Sequence, residues 1–364
     1  MADPLSIGAS VLAFIGLADR IIRTCKYYIE AIEDAPKDIQ MILGEATSLR
    51  AIIDSIGESG ATSLVPNLHE QNGPIEPCHS CLASLEALIA PHMGQSQTSK
   101  RRIERLQGTI SESETLEIIR WLEQTNPSSL HSLEFSKHEP QTTAWVTNSS
   151  QWMAWISSPS EPRLIWIYGL PGAGKTVLAS YIIEELEKLC EPANGSACSY
   201  YYCHYSRDQD ETVPFLSWVI GHVCRQMSWI PLELKRLHDH SCEPTTADLK
   251  EILEIVAQIL DVMYIVIDAV DESIPREELL SLIETIAVDK WFQKIRILAT
   301  SRQYFNIEQS LAEISESISM PNPMVDADIR RFVHARLRSS RRLKRWHERF
   351  DEIEEVLAAM AQGM

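Results

Sequence analysis

Apolar residues recur with helical spacing through the first third of the chain and with strand spacing afterwards. Val11, Ile15, Ala18, Ile22, Cys25, Ile29 and Ile32 fall at alternating steps of four and three behind an Asp3-Pro4 start, which predicts one long helix with a continuous seam. A second predicted helix follows Pro36, with Ile39, Ile42, Ala46, Leu49, Ile53 and Ile56 on one face and Gly57 and Gly60 as its stop. A Gly-, Pro- and Ser-rich loop runs from Ser59 to Pro77, and a shorter helix ends near Ile89 before Pro91. Ile103, Leu106, Ile110, Leu116, Ile119 and Leu122 predict a fourth. Four such faces bury one another as an antiparallel four-helix bundle, expected over residues 1–123.

Residues 124–162 have the composition of a linker, with Pro127, Pro140 and the run Ser157-Ser158-Pro159-Ser160. Trp145, Trp152, Trp155 and Trp166 make the stretch too aromatic for a free tether, so it is expected to dock on the domain that follows. From residue 163 the pattern changes. Apolar runs at Leu164–Tyr168, Met263–Ile267 and Ile295–Ala299 are uninterrupted, as strands covered on both faces must be, and an aromatic run at Ser199–Tyr205 and the Ile318 region complete five predicted strands. Helical spacing lies between them, at 175–190, 214–226, 247–260, 276–286 and 326–337. The expected fold class is α plus α/β: a helical bundle, then a parallel sheet sandwiched by helices over 163–340.

The chemistry sits at the ends of the predicted strands. Gly169-Leu170-Pro171-Gly172-Ala173-Gly174-Lys175-Thr176 separates the first strand from a helix that begins with Val177. Glycines in that setting let backbone N–H groups and a helix N-terminus converge on a phosphate. Gly169, Pro171, Gly172, Ala173, Gly174, Lys175, Thr176 and Val177 are therefore candidate nucleotide-binding residues. Lys175 would reach the β- and γ-phosphates, and Thr176 would be an Mg²⁺ ligand. The third strand ends in Asp268-Ala269-Val270-Asp271-Glu272. Asp268 is the second candidate for the Mg²⁺ shell, and either Asp271 or Glu272 could orient or deprotonate a water. Arg302, behind Thr300 and Ser301, could neutralise γ-phosphate charge. The cofactors expected are ATP or GTP with Mg²⁺.

Composition narrows the partners. Among 364 residues the net charge is −18, which argues against a general nucleic-acid binder. The basic run from Arg330 to Arg345 is read as a solvated or packing face. Eight cysteines, unevenly spaced, do not make a disulfide framework; Cys78 and Cys81 lack a second zinc-site pair, and His238, Asp239, His240 and Cys242 are read as surface. With no leader pattern or long apolar span, the expected compartment is cytoplasmic.

Taken with their placement, these residues resemble the fungal STAND NTPases, relatives of NOD-like receptors, with a NACHT nucleotide domain of the nephrocystin-like variety. The marks are Gly169–Thr176, the small residue and acid pair after Asp268, the Ala299-Thr300-Ser301-Arg302 strand end, and Trp145 with Trp155 before the domain. Met1-Ala2-Asp3-Pro4-Leu5-Ser6-Ile7 and its helix resemble a HeLo-like effector domain. The resemblance implies a switch in which nucleotide exchange drives homo-oligomerisation and clusters the N-terminal domain, often in fungal non-self recognition and cell death, with membrane contact through the first helix and membrane association on activation. It also implies that residues 341–364 start a helical region that relatives continue into sensing repeats. Two other classes use the same motifs: a P-loop kinase or ATPase with a regulatory bundle, and a scaffold that does not hydrolyse. An acid pair suits water activation better than transfer to a substrate hydroxyl.

Overall fold

The computed structural model describes residues 111–157, 162–192 and 195–361, together with Thr47. The chain divides into two compact units, 1–97 and 98–364, and every element below belongs to the second. The helices predicted over 3–32, 39–56 and 78–89 lie outside the described residues, Thr47 apart.

Four helices precede the first strand: α1 (Glu112–Leu122), α2 (Ser128–Phe135), α3 (Ala144–Thr147) and α4 (Ser150–Ser157). β1 (Leu164–Tyr168) leads to α5 (Lys175–Leu189) and β2 (Ser196–Tyr202). Then come α6 (Thr212–Met227), α7 (Leu232–Asp239) and α8 (Thr246–Ile259). β3 (Val262–Asp268), α9 (Glu277–Val288), β4 (Ile295–Ser301), α10 (Phe305–Leu311) and β5 (Ser315–Ser319) follow, and α11 (Pro323–Ser339) and α12 (Phe350–Ala361) close the series.

The five strands form one sheet in the order β2-β3-β4-β1-β5, and every neighbouring pair is parallel. Burial explains the order. All seven residues of the central β4 are buried, whereas β5, Ser-Glu-Ser-Ile-Ser, buries only Ile318 and occupies an edge where one side chain in two can meet water. β2 starts at Ser196, three residues before the aromatic run predicted it, and leaves the sheet after Tyr202. Where β2 ends, Cys203 N–H still donates to the Asp268 carbonyl at 3.0 Å.

The stretch expected to be a docking linker carries α2, α3 and α4, each with buried residues. Trp152 and Trp155 on α4 are each 3% exposed and join a cluster with Ile165, Ile182 and Val266. Indole Nε1 of Trp155 donates to the Arg163 carbonyl at 3.0 Å, and its ring lies 5.3 Å from that of Tyr264. On α2, His131 is buried between Tyr202 Oη at 2.9 Å and Glu184 Oε1 at 3.2 Å, which ties this segment to β2 and α5. Trp152 and Trp155 are thus buried rings, and the indole N–H of Trp155 is paired.

α1 departs from expectation. The apolar spacing predicts it as the end of a helix from Ile103 inside the N-terminal bundle. Instead Ser111 caps a fresh helix, accepting from Glu114 N–H at 3.3 Å, and that helix packs on α6 and α7. The buried face is Thr115, Ile118, Ile119 and Leu122, at i, i+3, i+4 and i+7, while Leu116 of the predicted seam is exposed. Charge pairs with the new neighbours fix the register: Glu123 with Arg225, and Glu114 with Lys235. Trp121 meets the His238 ring edge-on at 5.3 Å.

Because Trp155 fills a closed cluster and satisfies the Arg163 carbonyl, Trp155→Ala is expected to cost about 3–5 kcal/mol of stability, read as a lower urea midpoint at unchanged m-value.

Candidate functional site

The strand order determines which residues can meet. β4 lies between β1 and β3, so the carboxyl ends of three adjacent strands bring together the loop after β1, the acids after β3 and the Thr300–Arg302 end of β4. Open parallel sheets bind ligands at this edge.

The loop from Gly169 to Gly174 adopts its shape through two glycines with left-handed backbone, Gly172 at φ +82° and Gly174 at φ +84°; neither faces a crowded space, so conformation rather than room requires glycine there. Gly169 is different. A Cβ on it would lie 2.6 Å from Met320 Cβ, since Met320, directly after the parallel neighbour β5, donates its N–H to the Tyr168 carbonyl at the end of β1. Gly174 is the N-cap of α5, and the first-turn N–H groups of that helix therefore open onto the loop. Lys175 Nζ donates to the carbonyls of Gly169 and Leu170, both at 2.9 Å, which holds the ammonium over the loop. Burial lowers its pKa, and the fields of Asp271, Asp268 and Glu272 pull the other way. Pro171, Ala173 and Val177 complete the loop and first turn, with Ala173 packed into the core.

Asp268 is 2% exposed at the last position of β3. Its Oδ1 accepts from Thr300 Oγ1 at 2.5 Å, and it is also hydrogen-bonded by the Thr176 side chain. Burial pushes its carboxyl up to about 6; the two hydroxyls and Lys175 oppose that rise, and Glu272 adds to it. Thr300 Oγ1 in turn accepts from Ala269 N–H at 3.0 Å. Ala269 has left-handed backbone, φ +57°, because the chain turns sharply from β3 into a single 3₁₀ turn at Val270–Glu272. A small side chain suits that position better than a branched one.

The two acids that the sequence left undivided have different surroundings. Asp271 is buried and spends both oxygens on Arg302: Oδ1 accepts from the Arg302 backbone N–H at 2.9 Å, and Oδ2 faces Arg302 Nε at 3.3 Å. Arg302 Nη1 also donates to Tyr304 Oη at 3.2 Å. Glu272 is only partly buried, and among the described residues its carboxylate is held by a single hydrogen bond, from Tyr205 N–H to Oε2 at 3.2 Å. Tyr205 is expected as the last residue of the second strand, but the strand ends at Tyr202 and Tyr205 opens a 3₁₀ turn; Arg207 and Glu211 behind it carry no local pattern that marks them.

Thr176 and Asp268 together offer hard oxygen donors, the kind Mg²⁺ takes when it keeps most of its shell as water and phosphate oxygen. Among the described residues no three His, Cys, Asp or Glu side chains gather as a metal cage, and His238, His240 and Cys242 lie on or near α7 without forming one. His238 packs on Trp121, and His240 Nδ1 bonds the Arg236 carbonyl at 2.7 Å. In the basic run, Arg331 pairs with Asp328 and Arg338 with Glu354.

Fold and loop together have the form of a P-loop NTPase core, and comparison with known proteins finds similarity over part of the chain. Residues 141–302 match the family model described as Nephrocystin 3, N-terminal. Vegetative incompatibility protein HET-E-1 of Podospora anserina is 27% identical over 208 residues, which is 53% of this chain and 15% of that protein. The chain therefore spans a small part of the length of the curated relative it matches. Among solved structures, Drosophila ORC bound to DNA is similar at 15% identity and a TM-score of 0.36, over 59% of this chain and 56% of that one. C. elegans PCH-2 is similar at 16% identity and a TM-score of 0.26, over 62% of this chain and 47% of its own.

The raised Asp268 carboxyl has a consequence for stability. In the unfolded chain an aspartate loses its proton near 4, and in the folded protein near 6, so the native state holds the extra proton between those values. Stability in magnesium-free buffer should fall as pH rises through that window and stay reduced above it. Asp268→Asn removes the penalty. It is expected to be about 1–3 kcal/mol more stable than the parent at pH 7, with the gap closing below pH 4, read from urea midpoints at the two pH values.

Proposed function

We propose that this chain is a nucleoside-triphosphate-driven signalling switch of the STAND kind, in which a slow hydrolytic site governs assembly. One observation carries the reading: a buried carboxylate, Asp268, is clamped by hydroxyls from the phosphate loop helix and from the neighbouring strand, within the field of Lys175. Such an arrangement is costly for the protein alone and becomes favourable when a cation and a polyphosphate share the site.

In this reading the N–H groups of 172–177 and Lys175 receive the phosphates of ATP or GTP, and Thr176 with Asp268 holds Mg²⁺. When bound, the ion supplies charge neutralisation on the β- and γ-phosphate oxygens. Glu272, with one oxygen unshared among the described residues, orients the attacking water. Asp271 keeps Arg302 at the rim, where its guanidinium can turn to a γ-phosphate and report its presence. This division of labour separates the two acids by what each already holds.

The output is assigned to assembly. The relative is a vegetative incompatibility protein by name. By that likeness the triphosphate form is expected to form a homo-oligomer and to cluster residues 1–123, proposed as a HeLo-like effector domain that contacts membranes, in non-self recognition and cell death of the host cell. A cytoplasmic resting state, with membrane association on activation, belongs to the same proposal. Duplex nucleic acid is not an expected partner at a net charge of −18.

Titration calorimetry with magnesium ATP and GTP tests the binding step; no heat with either would overturn the reading. Light scattering tests the output. A non-hydrolysable triphosphate analogue should move the protein from monomer to oligomer where the diphosphate does not, and Lys175→Ala should abolish the shift by removing the charge on the β- and γ-phosphates. A species that stays monomeric with the analogue, at saturating binding, rejects the assembly step.

A further inference from the structure

Behind Tyr205 lies a buried ionic knot that the phosphate chemistry does not use directly. The Glu211 side chain is completely buried and accepts from Arg207 Nη1 at 2.9 Å and from Tyr201 Oη at 2.5 Å. The same Nη1 also donates to Tyr201 Oη at 3.1 Å and to the Tyr202 carbonyl at 3.0 Å, and the guanidinium carbon stands 5.5 Å from the centre of the Tyr201 ring. Desolvation, and the carboxylate that accepts its proton, push the Tyr201 hydroxyl far above its ordinary pKa, so it stays a donor to Glu211.

The knot cross-links two loops, the one after β2 and the one after β3. Glu211 N–H donates to Ser273 Oγ at 3.2 Å, Ser273 Oγ donates to the Pro275 carbonyl at 2.9 Å, and Ile274 N–H donates to the Gln209 carbonyl at 3.3 Å. Ser273 is the residue directly after Glu272. On the other side Arg207 closes the 3₁₀ turn Tyr205–Arg207, whose first N–H is the one bonded to Glu272 Oε2. Glu272 is thus gripped through its carboxylate from one end of the turn and through its next neighbour from the other. A buried ion pair is a poor device for raising stability, because apolar side chains of similar volume often do as well or better. It is a good device for fixing two loops at one spacing.

Resting on the assignment of Glu272 to the attacking water, we infer that Arg207 and Glu211 are positioning residues for that acid: they set the separation of the β2–α6 and β3–α9 loops at which Glu272 points into the phosphate site. Loss of the knot should leave nucleotide binding alone and lower the chemical step.

A double-mutant cycle on the full chain tests this. Arg207→Met is expected to reduce single-turnover hydrolysis about 10–100-fold, the range that misplacement of a reacting group by an ångström produces, with the Kd for magnesium nucleotide within about twofold of the parent. Arg207→Lys, which keeps the charge beside Glu211 without the planar fork, should recover part of the rate. In a Glu272→Gln background the Arg207→Met change should have almost no further effect, since the group it positions is gone. Should Arg207→Met fail to give a cooperative thermal transition, Glu211→Gln, which keeps shape and an acceptor for Tyr201, takes its place in the same cycle. An unchanged rate in a folded variant overturns the inference, as does an equal loss with and without Glu272. Normal hydrolysis by Glu272→Gln alone overturns both this inference and the role given to Glu272, so the two failures are told apart.

Discussion

One carboxylate sets the terms for the rest of the site. Asp268 sits at the end of a strand covered on both faces, where water cannot reach it and a negative charge is expensive. Two hydroxyls make it tolerable, and they come from different elements: Thr176 from the start of α5, Thr300 from the end of β4. Those contacts exist only if β4 lies beside β3 and the loop after β1 curls back over the same edge. The sheet order and left-handed Gly172 and Gly174 are therefore conditions of the same bond network. Thr300 has a second duty, since the Ala269 N–H it receives belongs to the sharp turn that carries both acids. The rim is one network in which Asp268, the turn and the neighbouring strand share a hydroxyl.

The parts legible in the sequence were those with a short-range cause. Glycines before Lys175 need a particular backbone, and uninterrupted runs such as Met263–Ile267 need burial on two faces, so their positions followed from residue type alone. Sequence spacing could say that β2 falls between β1 and β3 along the chain; it could not say that β4 falls between them in the sheet. The different states of Asp271 and Glu272 follow from that spatial order, because Arg302 arrives beside Asp271 on β4 while Tyr205 arrives beside Glu272 from β2. No local pattern separates two adjacent acids whose partners lie roughly 30 and 70 residues away.

The helix at 112–122 shows a related limit. Its periodicity was readable, but periodicity specifies a face and not a partner. Ile103 to Leu122 can be drawn as one seam, yet Ser111 offers a cap, and Ile118 beside Ile119 gives the shorter helix a face that suits α6. Glu123 and Glu114 then find Arg225 and Lys235 across the junction. The tryptophans before β1 were informative for the opposite reason: several indoles in one polar stretch have few stable places to go except a core, and Trp152 and Trp155 are in one.

α6 links these observations. Its N-cap is Glu211, whose backbone and side chain bind Ser273 and Arg207 beside the acids, and its later turns carry Gly221 and Arg225 against Glu123 of α1. At Gly221 a Cβ would lie 2.7 Å from Glu123 Oε1, so the two helices are in close contact there. A helix of 16 residues is stiff over its length, and its two ends answer to different neighbours: one to the turn that holds Glu272, the other to α1, the first of the four helices that precede β1. The rim loops therefore meet α6 at its cap. The contact at its other end is a half-buried ion pair, Glu123 with Arg225, in which burial raises the carboxyl's pKa and the arginine opposes it. Because the carboxylate gives up solvation to make this contact, separation of the pair would leave it with neither partner nor full hydration, so the junction of α1 and α6 rests on keeping the two together.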